Sequence, residues 1–280
     1  MDNPSVVIAA LLSAAQKAKT AIPKTEGDYI SNGILHCGKC HTPMETTILL
    51  QGQPLTVRCL CACRAEQEKR EKEEREARER ADKADAIRSL FPAREMSNWT
   101  FANDDLHNPK VSSIARNYCN HYAEMRIAGK GLVFHGPVGT GKSYYATAIA
   151  NELIDRGYRV YLTSFSRLGN MLYAATDKQQ MIDDICRYDM LVIDDLGAER
   201  STAWSDEMVY NVIESRYQTR LPLIITTNLT LQDMTQKDSP RVRIYSRLLE
   251  MCHFIPVDGA DRRKQKMRQS KDTYMLLFDG

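Results

Sequence analysis

Three short runs of consecutive apolar residues stand out in the second half of the chain: Leu132-Val133-Phe134, Met190-Leu191-Val192-Ile193 and Leu223-Ile224-Ile225. Runs this short and this apolar predict strands buried on both faces. Residues 158–163 add another strand. Between them the apolar spacing lengthens to three and four residues, which predicts helices over 144–156, 165–175, 177–187 and 205–219. Strand and helix in alternation give an α/β fold: a parallel sheet with helices on both faces, whose ligand lies at the carboxyl ends of the strands. Upstream, residues 112–128 read as a helix with Ile114, Tyr118, Tyr122 and Met125 along one side. Trp99-Thr100-Phe101 opens this domain, either as a wall for a nucleobase or as part of the core. After residues 254–257 only a short tail remains, too little for a further helical lid.

The pattern changes toward the N-terminus. Of the seventeen residues 64–80, fourteen are charged, seven of each sign. Opposite charges three and four apart favour a solvated helix, and the lack of an apolar repeat excludes a coiled coil, so this stretch is a spacer. Residues 46–50 and 55–58 read as two short strands around Gln51-Gly52-Gln53-Pro54. Val7, Ile8, Leu11, Leu12 and Ala15 fall on one helical face, which either covers the neighbouring module or docks a partner. The expected division is an N-terminal docking module over 1–63, a charged helical linker over 64–92 and the α/β domain over 93–280.

Composition adds bounds. The 280 residues suffice for one sizeable domain and an appendage. A net charge of +2 provides no global basic field, so any nucleic-acid contact rests on local patches. No stretch has the length of a membrane-spanning helix. Residues 6–15 resemble a short signal core, but Asp2 stands where a positive start belongs, and a cytoplasmic protein is expected. In that compartment the eight cysteines imply metal binding or isolated thiols rather than disulfides.

Five cysteines are clustered, as Cys37-x-x-Cys40 and Cys59-x-Cys61-x-Cys63. Two thiolate groups separated by a short hairpin match a structural Zn²⁺ site of the knuckle or ribbon type. Cys37 and Cys40 form one half. Cys61 and Cys63 are preferred for the other, with Cys59 as a substitute and His36 and His41 also available.

The chemistry of the α/β domain is carried by Gly136-Pro137-Val138-Gly139-Thr140-Gly141-Lys142-Ser143, which lies between a strand and a helix. This is a phosphate-binding loop. Its backbone N–H groups and the helix N-terminus receive phosphates, Lys142 reaches the β- and γ-phosphates, and the Ser143 hydroxyl binds Mg²⁺. The strand 190–193 ends in Asp194-Asp195, where Asp194 is expected to hold Mg²⁺ through water and Asp195 to polarise the attacking water. Asn228, after the next strand, orients that water. Arg247 reaches a neighbouring subunit's γ-phosphate, with Arg243 on the same interface. Arg262 or Arg263 acts in cis on the phosphates.

Together the loop, Leu191-Val192-Ile193-Asp194-Asp195-Leu196-Gly197, Thr226-Thr227-Asn228-Leu229 and Arg243-Ile244-Tyr245-Ser246-Arg247-Leu248 resemble the AAA+ ATPases of the replicative helicase loader family, the DnaC/DnaI type, over residues 95–265. The cysteine-rich module resembles the zinc-containing, helicase-binding domain of the DnaI branch. The resemblance implies an ATP-dependent protein that places a hexameric replicative DNA helicase on single-stranded DNA and self-associates through its ATPase domain. Asp195 stands where many AAA+ proteins have glutamate, which implies slow hydrolysis. Phe165, Arg167, Trp204 and the basic residues 262–271 are the candidate DNA contacts. Two other readings share the core: a transposition helper ATPase of the IstB type, and a DNA-binding adaptor that holds ATP without hydrolysing it.

Overall fold

The computed structural model describes residues 24–50, 52–197, 202–235 and 241–263. The apolar pattern at residues 7–15 and the basic residues 264–271 lie outside them. The chain forms two compact units, Met1–Glu79 and Arg80–Gly280.

The first unit contains two antiparallel hairpins. β1 (Tyr29–Ser31) pairs with β2 (Ile34–His36), and β3 (Glu45–Leu50) pairs with β4 (Gln53–Arg58). The first hairpin has strands of three residues, too short for an alternating pattern to register in the sequence. α1 (Ala62–Arg88) begins in this unit and extends the expected charged helix at both ends. It is solvated as its composition demands: Ala84 is its one buried residue. Salt bridges Lys69–Glu73, Arg70–Glu74 and Lys72–Glu76 run along its surface.

The second unit is built on a five-stranded sheet. Its strands are β5 (Gly131–His135), β6 (Val160–Ser164), β7 (Met190–Leu196), β8 (Leu223–Thr227) and β9 (Cys252–Pro256), in the order β6-β7-β8-β5-β9. All pairings are parallel. Because successive side chains point to opposite faces, each strand feeds two cores. Leu132 and Phe134 of β5, Met190 and Val192 of β7 and Ile224 of β8 join one. Val133, Leu191, Ile193, Leu223 and Ile225 join the other. The first face is covered by α2 (Pro109–Asn120) and α4 (Lys142–Asp155), with Ala115, Ile149 and Leu153 fully buried. The second is covered by α5 (Phe165–Ala174), α6 (Lys178–Cys186), α7 (Ala203–Thr219) and α9 (Val242–Met251); α8 (Leu231–Thr235) precedes the last of these. α9 buries Ile244, Tyr245, Leu248 and Met251, the spacing of a helix with one apolar face. No helix among the described residues is long and apolar enough to cross a membrane.

The structure differs from the sequence-based expectation in three places. The helix expected over 112–128 breaks at His121, and α3 (Tyr122–Ala128) follows it, capped by Gly129 at φ 65°. Phe165, expected as a DNA contact, is fully buried and belongs to the core. Third, β7 does not stop before the acidic pair. Asp194 and Asp195 lie within it, at a shift in register against β8.

Arg216, in the last turn of α7, is fully buried. It donates to the carbonyls of Cys186 (2.7 Å), Tyr188 (2.7 Å), Asp189 (3.1 Å) and Pro222, tying α7 to the segments that enter β7 and β8. Burial pulls its pKa down to about 10. Arg216→Met fills similar space but leaves those carbonyls without donors. It is expected to cost about 3 kcal/mol or more, the scale of a broken buried ionic network. In a domain of this size that lowers Tm by about 6–12 °C in a thermal melt.

Candidate nucleotide site and cysteine cluster

The loop between β5 and α4 is shaped by residues that only glycine satisfies. Gly136 has φ 136° and Gly139 φ 82°. A Cβ on Gly136 would come within 2.6 Å of the Val257 carbonyl oxygen, so no other residue fits there. The Thr140 hydroxyl donates to the Pro137 carbonyl at 3.0 Å and closes the turn. The Lys142 ammonium is buried and donates to the carbonyls of Gly136 (2.9 Å) and Pro137 (2.6 Å), lying along the loop that would wrap the phosphates. Burial lowers its pKa, while Asp195 and Asp194 oppose the shift.

The loop borders a cleft of about 430 Å³ that Val138, Gly139, Gly141, Lys142 and Ser143 share with Asp195, Asn228 and Arg262. Trp99 and Tyr144 contribute aromatic surface to it. Trp99 also packs on the core, so the two roles expected for it coexist. The Tyr144 hydroxyl donates to the Thr100 carbonyl at 2.7 Å, which fixes its ring. Arg262 is held beside the loop in three ways. Its N–H donates to the Gly139 carbonyl at 3.0 Å, its guanidinium lies 5.6 Å over the Tyr144 ring, and it pairs with Asp105.

Asp195 lines this cleft and Asp194, next to it, acts on Lys142 by charge; both lie at the irregularity in β7. Ile193 is level with Ile225 and Leu196 with Thr227, so both aspartates oppose Thr226 alone. This is a β-bulge, a device that re-aims side chains beside functional sites. Asp195 takes φ 60°, a left-handed conformation uncommon for a residue with a Cβ. Burial and then the adjacent Asp194 carboxylate raise its pKa.

Arg243 and Arg247 do not join this cleft. With Tyr210, Val242 and Ser246 they line a separate surface depression of about 470 Å³. Arg247 Nε donates to Glu214 Oε2 at 2.8 Å, and the guanidinium lies 4.5 Å over the Tyr217 ring. Arg167 donates to the Leu90 carbonyl at 3.1 Å. Trp204 remains 40% exposed and meets the 78% exposed Tyr173 edge-on, with centroids 6.1 Å apart. Asn98 and Asn103 also line the cleft, though no motif in the sequence marks them.

In the first unit, the Sγ atoms of Cys37, Cys40, Cys61 and Cys63 all lie within 4.8 Å of one another. Cys37 follows β2, and Cys61 and Cys63 stand at the start of α1, so the β3–β4 hairpin returns the chain to the first pair. The Cys59 sulfur is elsewhere, 3.8 Å from the Pro43 carbonyl. His36 and His41 are engaged with Ile34 and Tyr29. Thiol separations of 3.6 Å (Cys37–Cys63) and 3.4 Å (Cys61–Cys63) are near the ~3.8 Å edge of a tetrahedron with Zn–S bonds of ~2.3 Å. The donor set is all sulfur, with no carboxylate, and fits a closed structural Zn²⁺ site rather than a catalytic one. Amides of Cys40 and Lys39 lower the Cys37 pKa, and the Thr42 hydroxyl is first among the groups that bring Cys40 down to about 5.

The chain is similar to several known proteins. It is 27% identical over 195 residues to the replicative helicase loader DnaI of Bacillus subtilis (strain 168), covering 63% of this chain and 62% of that protein. It is 28% identical over 141 residues to the replicative helicase loader DnaC of Escherichia coli (strain K12), covering 49% of this chain and 56% of that one. The chain thus spans less than two thirds of either relative's length. A crystal structure of DnaI superposes with a TM-score of 0.52 at 26% identity, over 63% of this chain and 98% of the other. The fold is that of the P-loop AAA+ proteins. The model of the IstB-like ATP binding proteins matches residues 65–270, a range that starts in α1, takes in the whole nucleotide cleft and runs past β9. The chain belongs to this family of ATP-binding proteins.

Proposed function

We propose that this protein is an ATP-dependent loader that places a hexameric replicative DNA helicase on single-stranded DNA. The observation that carries the reading is that both curated relatives described above are named replicative helicase loaders; the family match over residues 65–270 takes in the nucleotide cleft. The cysteine cluster favours it further. It precedes residue 65, where the family match starts, as an additional module suited to binding a partner. In this reading residues 1–63 dock the helicase, 64–92 are a linker, and 93–280 bind and hydrolyse ATP in the cytoplasm.

The roles within the cleft follow from chemistry. The loop from Gly136 to Ser143 presents backbone N–H groups to the phosphates, and Lys142 exchanges its two carbonyl partners for the β- and γ-phosphate oxygens. Arg262 adds cis charge. Mg²⁺, when bound, neutralises charge on the β- and γ-phosphates; Ser143 and Asp194 would hold it. Asp195 takes a proton from the attacking water, which Asn228 orients. Zn²⁺ on the four cysteines would be structural. Trp204, exposed beside Tyr173, is the best placed of the expected DNA contacts for stacking on a base.

The family's IstB branch supports a second reading, a transposition helper that binds duplex DNA. Affinity purification of the full-length protein from its host, with ATP, separates the two: a replicative helicase is the expected companion, and recovery of a transposase alone would favour the helper.

Asp195 acts only as a carboxylate. Its raised pKa therefore moves the acidic limb of turnover up from where an unperturbed aspartate would place it, and the rate falls as pH drops through that limb. Asp195→Asn is expected to bind ATP normally, turn over about 100-fold more slowly, and lose that limb. A variant with the wild-type rate and profile would remove Asp195 from the base role.

A further inference from the structure

The acidic pair is held by a residue to which the sequence motifs assign no role. Thr226 lies in β8, fully buried, opposite the bulge. Its hydroxyl accepts the Asp195 N–H at 2.9 Å and donates to Asp194 Oδ1 at 2.5 Å. One small group thus faces both aspartates and uses both its donor and its acceptor capacity on them. The next residue repeats the device on the far side of the bulge: the Thr227 hydroxyl donates to the Leu196 carbonyl at 2.7 Å and accepts the Leu229 N–H at 3.1 Å.

Each bond has a separate consequence. A carboxylate that accepts a hydrogen bond on one oxygen is fixed in rotation, leaving its remaining lone pairs in a set direction. A backbone N–H anchored across the strand pair holds Asp195 in its left-handed conformation, which requires support from its surroundings. Bulk alone supplies neither effect. Valine has the shape of threonine and equal preference for a buried strand, so packing does not demand a hydroxyl here.

We propose that Thr226 is a positioning residue for the nucleotide reaction: through its hydroxyl it sets the Asp194 carboxylate for the divalent cation and the Asp195 backbone for the attacking water. This rests on the nucleotide-site reading of the cleft and adds a determinant to it. Groups that orient metal-holding side chains typically contribute 10- to 100-fold to metal affinity or activity.

The test uses the full-length protein and three substitutions. Thr226→Val keeps shape and removes the hydroxyl, Thr226→Ser keeps the hydroxyl, and Thr226→Ala replaces Val if that variant does not fold in a thermal melt. Three quantities are read: affinity for a fluorescent ATP analogue in EDTA, Mn²⁺ binding to the protein with a non-hydrolysable analogue by electron paramagnetic resonance, and ATP turnover. Thr226→Val is expected to match wild type in EDTA, to need about tenfold more Mn²⁺ for half-saturation and to lose at least about tenfold in kcat. Thr226→Ser is expected to restore most of both. Wild-type Mn²⁺ binding and kcat in Thr226→Val, or equal defects in Val and Ser, would overturn the proposal. Wild type that binds no nucleotide would overturn the reading beneath it instead, so the two failures are distinguishable.

Discussion

Stripping zinc from the full-length protein with a strong chelator is expected to unfold the first unit while ATP binding by the second persists. The reason is the small size of its core. Among the described residues the buried apolar cluster of this unit consists of Leu35, Cys37, Met44 and Cys61. At about 1.5–3 kcal/mol for each large buried side chain, such a cluster falls far short of the roughly 1–2 kcal/mol per residue needed to order the backbone. Ile30 and Leu49, which a larger core would cover, are 68% and 74% exposed. Structural zinc sites contribute on the order of 10–16 kcal/mol, as much as or more than the whole apolar cluster. Elemental analysis should find one zinc per chain. Chelation should collapse the amide resonances of residues 24–61, and Cys37→Ser should do the same. Cys59→Ser should not, because its sulfur lies outside the cluster. Both tryptophans, Trp99 and Trp204, lie in the second unit, so their fluorescence should be unchanged. A metal-free chain with unchanged spectra would remove the zinc site.

Arg247→Ala is expected to bind ATP as well as wild type and to lose nearly all turnover that depends on self-assembly. Arg247 lies outside the cleft lined by Lys142 and Asp195, beside Arg243 in a depression of its own. In the isolated chain it is engaged by Glu214, but its side chain is 35% exposed. Ion pairs near the surface contribute only about 0–1 kcal/mol. Giving up Glu214 for a neighbour's γ-phosphate therefore costs little, whereas an arginine finger supplied in trans accelerates transfer on the order of 10³-fold or more. Mixing Arg247→Ala with Lys142→Ala should restore part of the activity, since an interface between the two can combine an intact loop with an intact finger. No recovery on mixing, with both proteins folded, would make Arg247 structural or a cis residue.

Four of the five strands were legible because burial on both faces leaves little freedom in composition; β9, whose His253 and Pro256 are exposed, was not. Leu191-Val192-Ile193 and Leu223-Ile224-Ile225 admit few alternatives to a central strand. The phosphate loop was legible because positive φ at Gly136 and Gly139 cannot be met by other residues. What escaped the sequence depended on contacts between distant segments. Arg216 reads like any helical arginine until the carbonyls of Cys186 and Pro222 are brought around it. Phe165 follows a strand as a base-stacking residue might, yet the pitch of α5 turns it inward. The bulge at Asp194 and Asp195 has no local signature, because it is defined by register against Thr226. Among the cysteines, spacing prefers Cys61 and Cys63 but leaves Cys59 as a substitute; the fold places the Cys61 and Cys63 sulfurs beside the first pair and that of Cys59 outside.

In the loader reading, nucleotide-driven chemistry in this cleft puts a helicase on DNA. The most direct measurement is assembly of the host's hexameric replicative helicase on covalently closed single-stranded circles, which offer no end to thread. With ATP, the wild-type protein should increase the helicase bound per circle, and Lys142→Ala should fail to do so because it lacks the cation that meets the β- and γ-phosphates. Equal loading with and without the protein, or equal loading by wild type and Lys142→Ala, would contradict the account.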